Sequence, residues 1–310
     1  MPTHVTITDV APRDGLQNED ARVPTDDKAA LIRALATTGV DAIEHTSFVS
    51  PKWIPQLGDA EDLLTSLSDL RSHPKAPRCI ALVPNARGYE RAIEFHSDEA
   101  PLTIAVFTAA SETFNQKNTN ASIDESIARF AEFIPDALSR NMRVRLYIST
   151  VIACPYEGII EPDQVRAVAD RLLSILPPDS IESRRAELDL GDTIGHATPA
   201  STESLLDAFS AQERAHLVMH LHDTFAHASQ CVRTCLDMGV RSFDASVAGL
   251  GGCPYASQPG KPAPGNISTR TLVETIHDAG YTTTIDLDAL ARAERLASDI
   301  LSRARQDSHA

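Results

Sequence analysis

Short β-rich runs alternate with longer amphipathic ones along nearly the whole 310-residue chain. Apolar and β-branched residues mark strands over 5–10, 42–48, 79–83, 102–108, 144–152, 187–190, 217–222 and 242–248, each too short and too β-rich to read as a helix. Helical spacing fills the gaps. Its clearest instance starts at Ser122, where Glu125 three residues on completes a capping box and Ile123, Ile127, Phe130, Ile134 and Leu138 recur on one helical face. Eight such βα units with no break in composition, and nothing marking a reversal of strand order, predict a closed (β/α)8 TIM barrel rather than an open doubly wound sheet. The run 287–303 reads as an additional C-terminal helix. The chain therefore divides into a barrel over 1–285 and, over 286–310, a helix packed on the barrel with a polar tail. The segment SQPGKPAPGN (257–266), with three prolines, is a loop.

Composition narrows the function classes. With 42% hydrophobic and 23% charged residues the chain can bury a large core. Its 28 Lys and Arg against 43 Asp and Glu give a net charge of −15, which argues against nucleic acid or a membrane surface as partner. No apolar run reaches the roughly 18 residues of a membrane span. Strand-like sequence starts almost at Met1, so no signal or transit peptide is expected, and the five cysteines lack a paired-knuckle spacing, so they read as reduced thiols in the cytoplasm. Cys231 and Cys235, four apart on a helix, fit small buried hydrophobes.

In a barrel of this kind chemistry sits at the carboxyl ends of the strands. His220 and His222 close the seventh strand two residues apart, on one side of an extended chain, so both imidazoles can reach one ion while Leu221 faces the opposite layer. Taken alone, the pair also fits hydrogen-bonded core histidines. Arg13 and Asp14 follow the first strand, Glu44 lies in the second, Asp192 follows the sixth, and the eighth leads into GLGGC. Asp14, His220 and His222 together offer one carboxylate and two imidazoles, a set suited to Mg²⁺, Mn²⁺, Fe²⁺ or Zn²⁺. The absence of cysteine from this set favours Mg²⁺ or Mn²⁺ over Zn²⁺.

The segments APRDGLQNE (11–19), IEHTSFVSPKWIPQLGD (43–59), ACPYEG (153–158), GDTIG (191–195), HLHDT (220–224) and SVAGLGGCPYA (246–256) closely resemble the 3-hydroxy-3-methylglutaryl-CoA lyase family of metallolyase barrels. The resemblance implies divalent-metal-dependent cleavage of a 3-hydroxy-3-methylglutaryl thioester, an acyl-CoA, into acetyl-CoA and acetoacetate. It implies Asp14, His220, His222 and Asn266 as metal ligands and Arg13 as the cation beside the thioester enolate oxygen. Asp192 or His220 would be the base on the tertiary hydroxyl, and Glu44 an orienter of Arg13 or of substrate, or a structural ion pair. Cys253 would be the thiol acid on a glycine-rich lid, mostly protonated near neutrality. Gly249, Gly251 and Gly252 do not form a phosphate cradle, because no Lys-Ser or Lys-Thr follows.

Departures from the family pattern fall around this set. They are the longer loop between Cys253 and Asn266 with Lys261, Asp20 for a lysine near the CoA entrance, Arg270 for a glutamate, Phe225 for a tyrosine, and His45 for a small or aliphatic residue. The last two predict an altered pocket polarity, and together these changes admit a bulkier 3-hydroxyacyl thioester. Three competing readings are a condensing enzyme of the same superfamily using acetyl-CoA and a 2-oxo acid, a metal-dependent hydrolase barrel, and a non-catalytic relative. GLGGCPYA opposes the first, the seventh-strand position of His-x-His the second, and the intact set Arg13, Asp14, His220, His222 and Cys253 the third. Outer helices of barrels often pair, so a homodimer is expected.

Overall fold

The computed structural model describes residues 3–251 and 265–307. Eight parallel strands close into a barrel in chain order: Thr6–Asp9, Ala42–Ser47, Arg78–Leu82, Leu102–Ala109, Arg143–Ser149, Ala186–Asp192, Leu217–Leu221 and Ser242–Ala245, the last pairing back onto the first. This is the predicted (β/α)8 barrel. Because side chains alternate along a strand, each strand serves two layers. Ile7, Ile43, Ile104, Val106, Leu146 and Leu188 belong to the main core shared with the helices. Ala42, Ile80, Leu82, Ala105 and Tyr147 form a separate small cluster inside the barrel.

The rest of the lumen is unusually polar for a barrel, whose interior is normally layered with branched aliphatic side chains. Arg145, Asp189 and Asp244 are all fully or almost fully buried there. Arg145 bonds Asp244 through Nη1 (2.8 Å) and Glu187 through Nε (3.2 Å), and Glu187 also pairs with Arg78 at 2.7 Å.

Two local expectations need correction. The Ser122 capping box forms as expected, yet the run it opens is two helices, Ile123–Ala131 and Ile134–Ser139, because Pro135 in the first turn of the second cannot continue the first. The fifth strand ends at Ser149 rather than running to 152. Thr150 turns into the left-handed region (φ 58°), and the chain then forms a small antiparallel ribbon, Ala153–Cys154 with Gly158–Ile159.

The C-terminal helix spans Leu287–Asp307 and lies on the helix Thr25–Ala36. Ion pairs Arg303–Asp27 and Arg305–Glu19, both 2.9 Å, tie it down. None of the described helices is long and apolar enough to cross a membrane. Cys231 and Cys235 are buried thiols on the helix Ala228–Asp237, as their spacing predicts.

Candidate active site

Each predicted residue within the described part of the chain lies at the carboxyl end of the barrel or just inside it. The first strand runs into a tight turn, Ala11–Gly15, which puts Arg13 and Asp14 over the barrel mouth. The second strand brings Glu44 beneath them. The Arg13 guanidinium forks, with Nη2 on Glu44 Oε2 at 2.6 Å and Nη1 on Asp14 Oδ1 at 2.7 Å. Burial works against the Arg13 charge, but the two carboxylates outweigh it and raise its pKa further. Burial also raises the Glu44 carboxyl, with Arg13 as the main influence holding it down. Glu44 is thus paired with Arg13, as an orienter or a structural ion pair would be.

Asp14 is the junction of the site. Its Oδ1 also accepts from Gln17 Nε2 (3.0 Å), and its Oδ2 accepts from Asn266 Nδ2 (2.8 Å). Burial pushes this carboxyl up, but Arg13, His220 and His222 together hold it below the usual range. The seventh strand supplies the imidazoles. His220 Nε2 and His222 Nε2 face each other at 3.2 Å. One ligand atom from each of Asp14, His220 and His222 lies within 4.8 Å of the others. Burial, then the neighbouring His220, takes the His222 pKa down to about 4, so it is a neutral imidazole near pH 7.

This donor set fits a divalent ion. A carboxylate and two imidazole nitrogens converge on one point, and the neutral His222 ring can offer a lone pair there instead of a charge. Asn266 stands beside the set, its backbone bridged to His222, with its amide nitrogen on Asp14 and on the Leu250 carbonyl (3.1 Å). The approach is close. Gly251, at φ 99°, passes so near that a Cβ there would sit 2.6 Å from Asn266 Nδ2.

Asp192, fully buried, ends the sixth strand, where Gly191 is in register with His220. Its Oδ1 accepts from His196 N (3.0 Å) and its Oδ2 from Ala197 N (2.8 Å). Burial pushes its carboxyl up to about 6 against those two bonds and the nearby His220. Cys253, Gly252 and Lys261 lie outside the described residues, as does the 257–264 segment.

The departures sort differently in space. Phe225 is half-exposed and meets the His196 ring edge-on at 4.8 Å. His45 does not reach the pocket. It alternates with the inward Glu44, hydrogen-bonds the Ile43 carbonyl at 2.9 Å and is buried beside Arg71. Arg270 is taken up by Glu294 of the C-terminal helix at 2.7 Å. Asp20 is exposed.

The sequence reading did not identify Asp244, whose Oδ2 lies 3.1 Å from His220 Nδ1, or its neighbours Arg145 and Tyr147. A signal for them exists. Charged residues alternate with apolar ones in RVRLY (143–147) and ELDL (187–190), the pattern of a strand with one polar face.

A family model described as HMGL-like matches residues 4–297. The 3-hydroxy-3-methylglutaryl-CoA lyase of Mus musculus, labelled cytoplasmic, is 41% identical over 288 residues, 93% of this chain and 78% of its own. The hydroxymethylglutaryl-CoA lyase of Bos taurus, labelled mitochondrial, is 40% identical over 306 residues, 98% of this chain and 87% of its own. Among solved structures, the HMG-CoA lyase of Brucella melitensis superposes with a TM-score of 0.87 at 42% identity, covering 97% of this chain and 99% of that one. A single match running through every barrel strand and the start of the last helix places the whole fold, mouth and lumen included, in one lineage: the chain belongs to the HMGL-like family.

Proposed function

We propose that this protein is a divalent-metal-dependent carbon–carbon lyase that cleaves 3-hydroxy-3-methylglutaryl-CoA to acetyl-CoA and acetoacetate. The observation that carries the reading is the convergence of Asp14, His220 and His222 beside a forked, buried Arg13 at the barrel mouth. The names of the relatives agree with it. Asp14, His220, His222 and Asn266 would hold the ion, with Mg²⁺ or Mn²⁺ suited to an oxygen-rich substrate. When bound, the ion polarises the substrate's tertiary hydroxyl.

The protein's own groups account for the rest. A base takes the proton from that hydroxyl. Asp192 is the better candidate, because both ring nitrogens of His220 are engaged, with Asp244 and in the ligand cluster. A carboxyl raised to about 6 is ionised at neutral pH and still basic enough to accept a proton. As the hydroxyl oxygen becomes the ketone of acetoacetate, the C2–C3 bond breaks and its electron pair passes to the thioester enolate. Arg13 faces the developing charge as a fixed cation that need not reorganise. The Cys253 thiol then delivers a proton to the enolate carbon, giving acetyl-CoA.

Release of acetoacetate and acetyl-CoA from 3-hydroxy-3-methylglutaryl-CoA by purified protein with Mg²⁺ or Mn²⁺ tests this, with Cys253→Ser alongside. Turnover lost in the variant is expected. Absence of turnover by metal-loaded wild type would rule out this substrate. The catalytic unit we propose is the 1–285 barrel, with 286–310 as its clamp, in a cytoplasmic homodimer. The compartment follows the reduced-thiol reading, and light scattering tests the dimer.

A further inference from the structure

We propose that Asp244 is a positioning residue: it fixes the tautomer and aim of the His220 imidazole, and Arg145 holds Asp244 in place from the barrel lumen. The inference rests on reading His220 as a metal ligand. The eighth strand pairs with the seventh so that Asp244 and His220 are register partners, which puts both side chains on the lumen face. His220 Nδ1 lies 3.1 Å from Asp244 Oδ2, and both residues are buried.

The two oxygens of Asp244 have separate partners. Arg145 Nη1 donates to Oδ1 at 2.8 Å, and Tyr147 OH approaches Oδ2 at 3.3 Å. Arg145 Nη1 also donates to Tyr147 OH at 3.0 Å, and its Nη2 to Thr8 Oγ1 at 3.2 Å, so the guanidinium is held on three sides. Only one imidazole tautomer suits this arrangement. With the proton on Nδ1, His220 donates to Asp244 and aims the Nε2 lone pair at the space shared with His222 and Asp14. With the proton on Nε2, a lone pair would face a carboxylate oxygen and the proton would block the ion.

Asp189, His220 and Asp244 also lie close enough together to suggest a second cation site. That place is filled, because Arg145 already sits 2.8 Å from Asp244 and 3.7 Å from Asp189. Arg145 is the cation of this pocket.

The test combines ¹⁵N-histidine NMR of metal-free protein with Mn²⁺ affinity by electron paramagnetic resonance, His220→Gln serving to assign the signal. Wild type is expected to show His220 protonated on Nδ1. Asp244→Asn is expected to mix the tautomers and weaken Mn²⁺ binding by about 10–100-fold, the usual effect of losing an outer partner of a ligand. A variant that melts earlier but keeps wild-type His220 shifts and Mn²⁺ affinity would make Asp244 merely structural and overturn the proposal. If Asp244→Asn does not fold, the wild-type spectrum decides: a neutral His220 ring with its single proton on Nε2 overturns it. Wild type that shows the Nδ1 proton but binds no Mn²⁺ overturns the metal reading instead.

Discussion

Replacing Arg13 with Gln separates the role of its charge from that of the ion. Arg13 is 7% exposed and forks between Glu44 at 2.6 Å and Asp14 at 2.7 Å, so before reaction its charge is balanced by two carboxylates. In the proposed reaction its catalytic value is confined to the step that places negative charge on the enolate oxygen, and interactions confined to the transition state act on kcat. Losing one preorganised donor to a developing oxyanion costs about 10²–10³-fold, or ~2.7–4 kcal/mol. Arg13→Gln should therefore lower kcat by that factor, and Arg13→Lys should fall between, because a point charge cannot fork to two carboxylates. Mn²⁺ affinity should move the other way or hold, since a cation has been removed from beside Asp14. Glu44 loses its main counter-charge and takes up a proton, so the variant also melts earlier. Steady-state turnover with saturating Mn²⁺, together with paramagnetic titration of the ion, reads both quantities. A kcat within about tenfold of wild type, below the usual effect of an oxyanion donor, would refute the assignment.

Asp14→Asn should weaken Mn²⁺ binding by more than the ~10–100-fold typical of an outer partner, because it removes the only carboxylate among the proposed ligands. An unchanged dissociation constant would sink the site. Gly251→Ala places a Cβ 2.6 Å from Asn266 Nδ2 at φ 99°, which costs roughly 1–3 kcal/mol of backbone strain and displaces Asn266. Lower thermal stability together with weaker Mn²⁺ binding is expected, and retention of both would show that Asn266 is not so confined. His45 gives a pH test remote from the metal. Its folded pKa, about 4, lies below the ordinary value of 6.5, so its contribution is fully present above pH 6.5 and is lost as pH falls toward 4. At ~1.4 kcal/mol per unit this is on the order of 3 kcal/mol. His45→Phe should flatten the loss of urea stability between pH 7 and 4, and parallel curves for variant and wild type would contradict it.

The barrel was legible because its signal is repeated: eight short β-rich runs separated by helical spacing admit few other architectures. The local errors have local causes. Pro135 is compatible with a helix start as well as a helix break, and apolar content through 150–152 resembles strand until Thr150 takes a positive φ. The mouth residues were legible because turn and strand-end positions carry chemistry in this fold. Asp244, Arg145 and Asp189 were not legible because they sit one or more steps inside their strands, away from the ends where this fold carries its chemistry. His45 failed for a related reason. Adjacency to Glu44 in sequence means the opposite face in a strand.

The lumen network explains why a barrel would keep so many ionisable groups where aliphatic layers ordinarily pack. Burying Arg145, Asp189 and Asp244 carries a desolvation cost that well-packed apolar residues would avoid. Arg145 is the point from which two arms of the site are held. One runs through Asp244 to His220, and the other through the Tyr147 hydroxyl, which lies 3.4 Å from Glu44 Oε2, to the Arg13 fork. In the proposed reaction both arms end on groups that must be aimed within a fraction of an ångström before substrate arrives: an imidazole lone pair at the ion and a guanidinium at the enolate oxygen. A network held by hydrogen bonds specifies such directions, whereas an apolar layer specifies only volume. Changes at Arg145 should therefore disturb ion affinity and turnover together, while changes at Asp244 act first on the ion and those at Glu44 first on turnover.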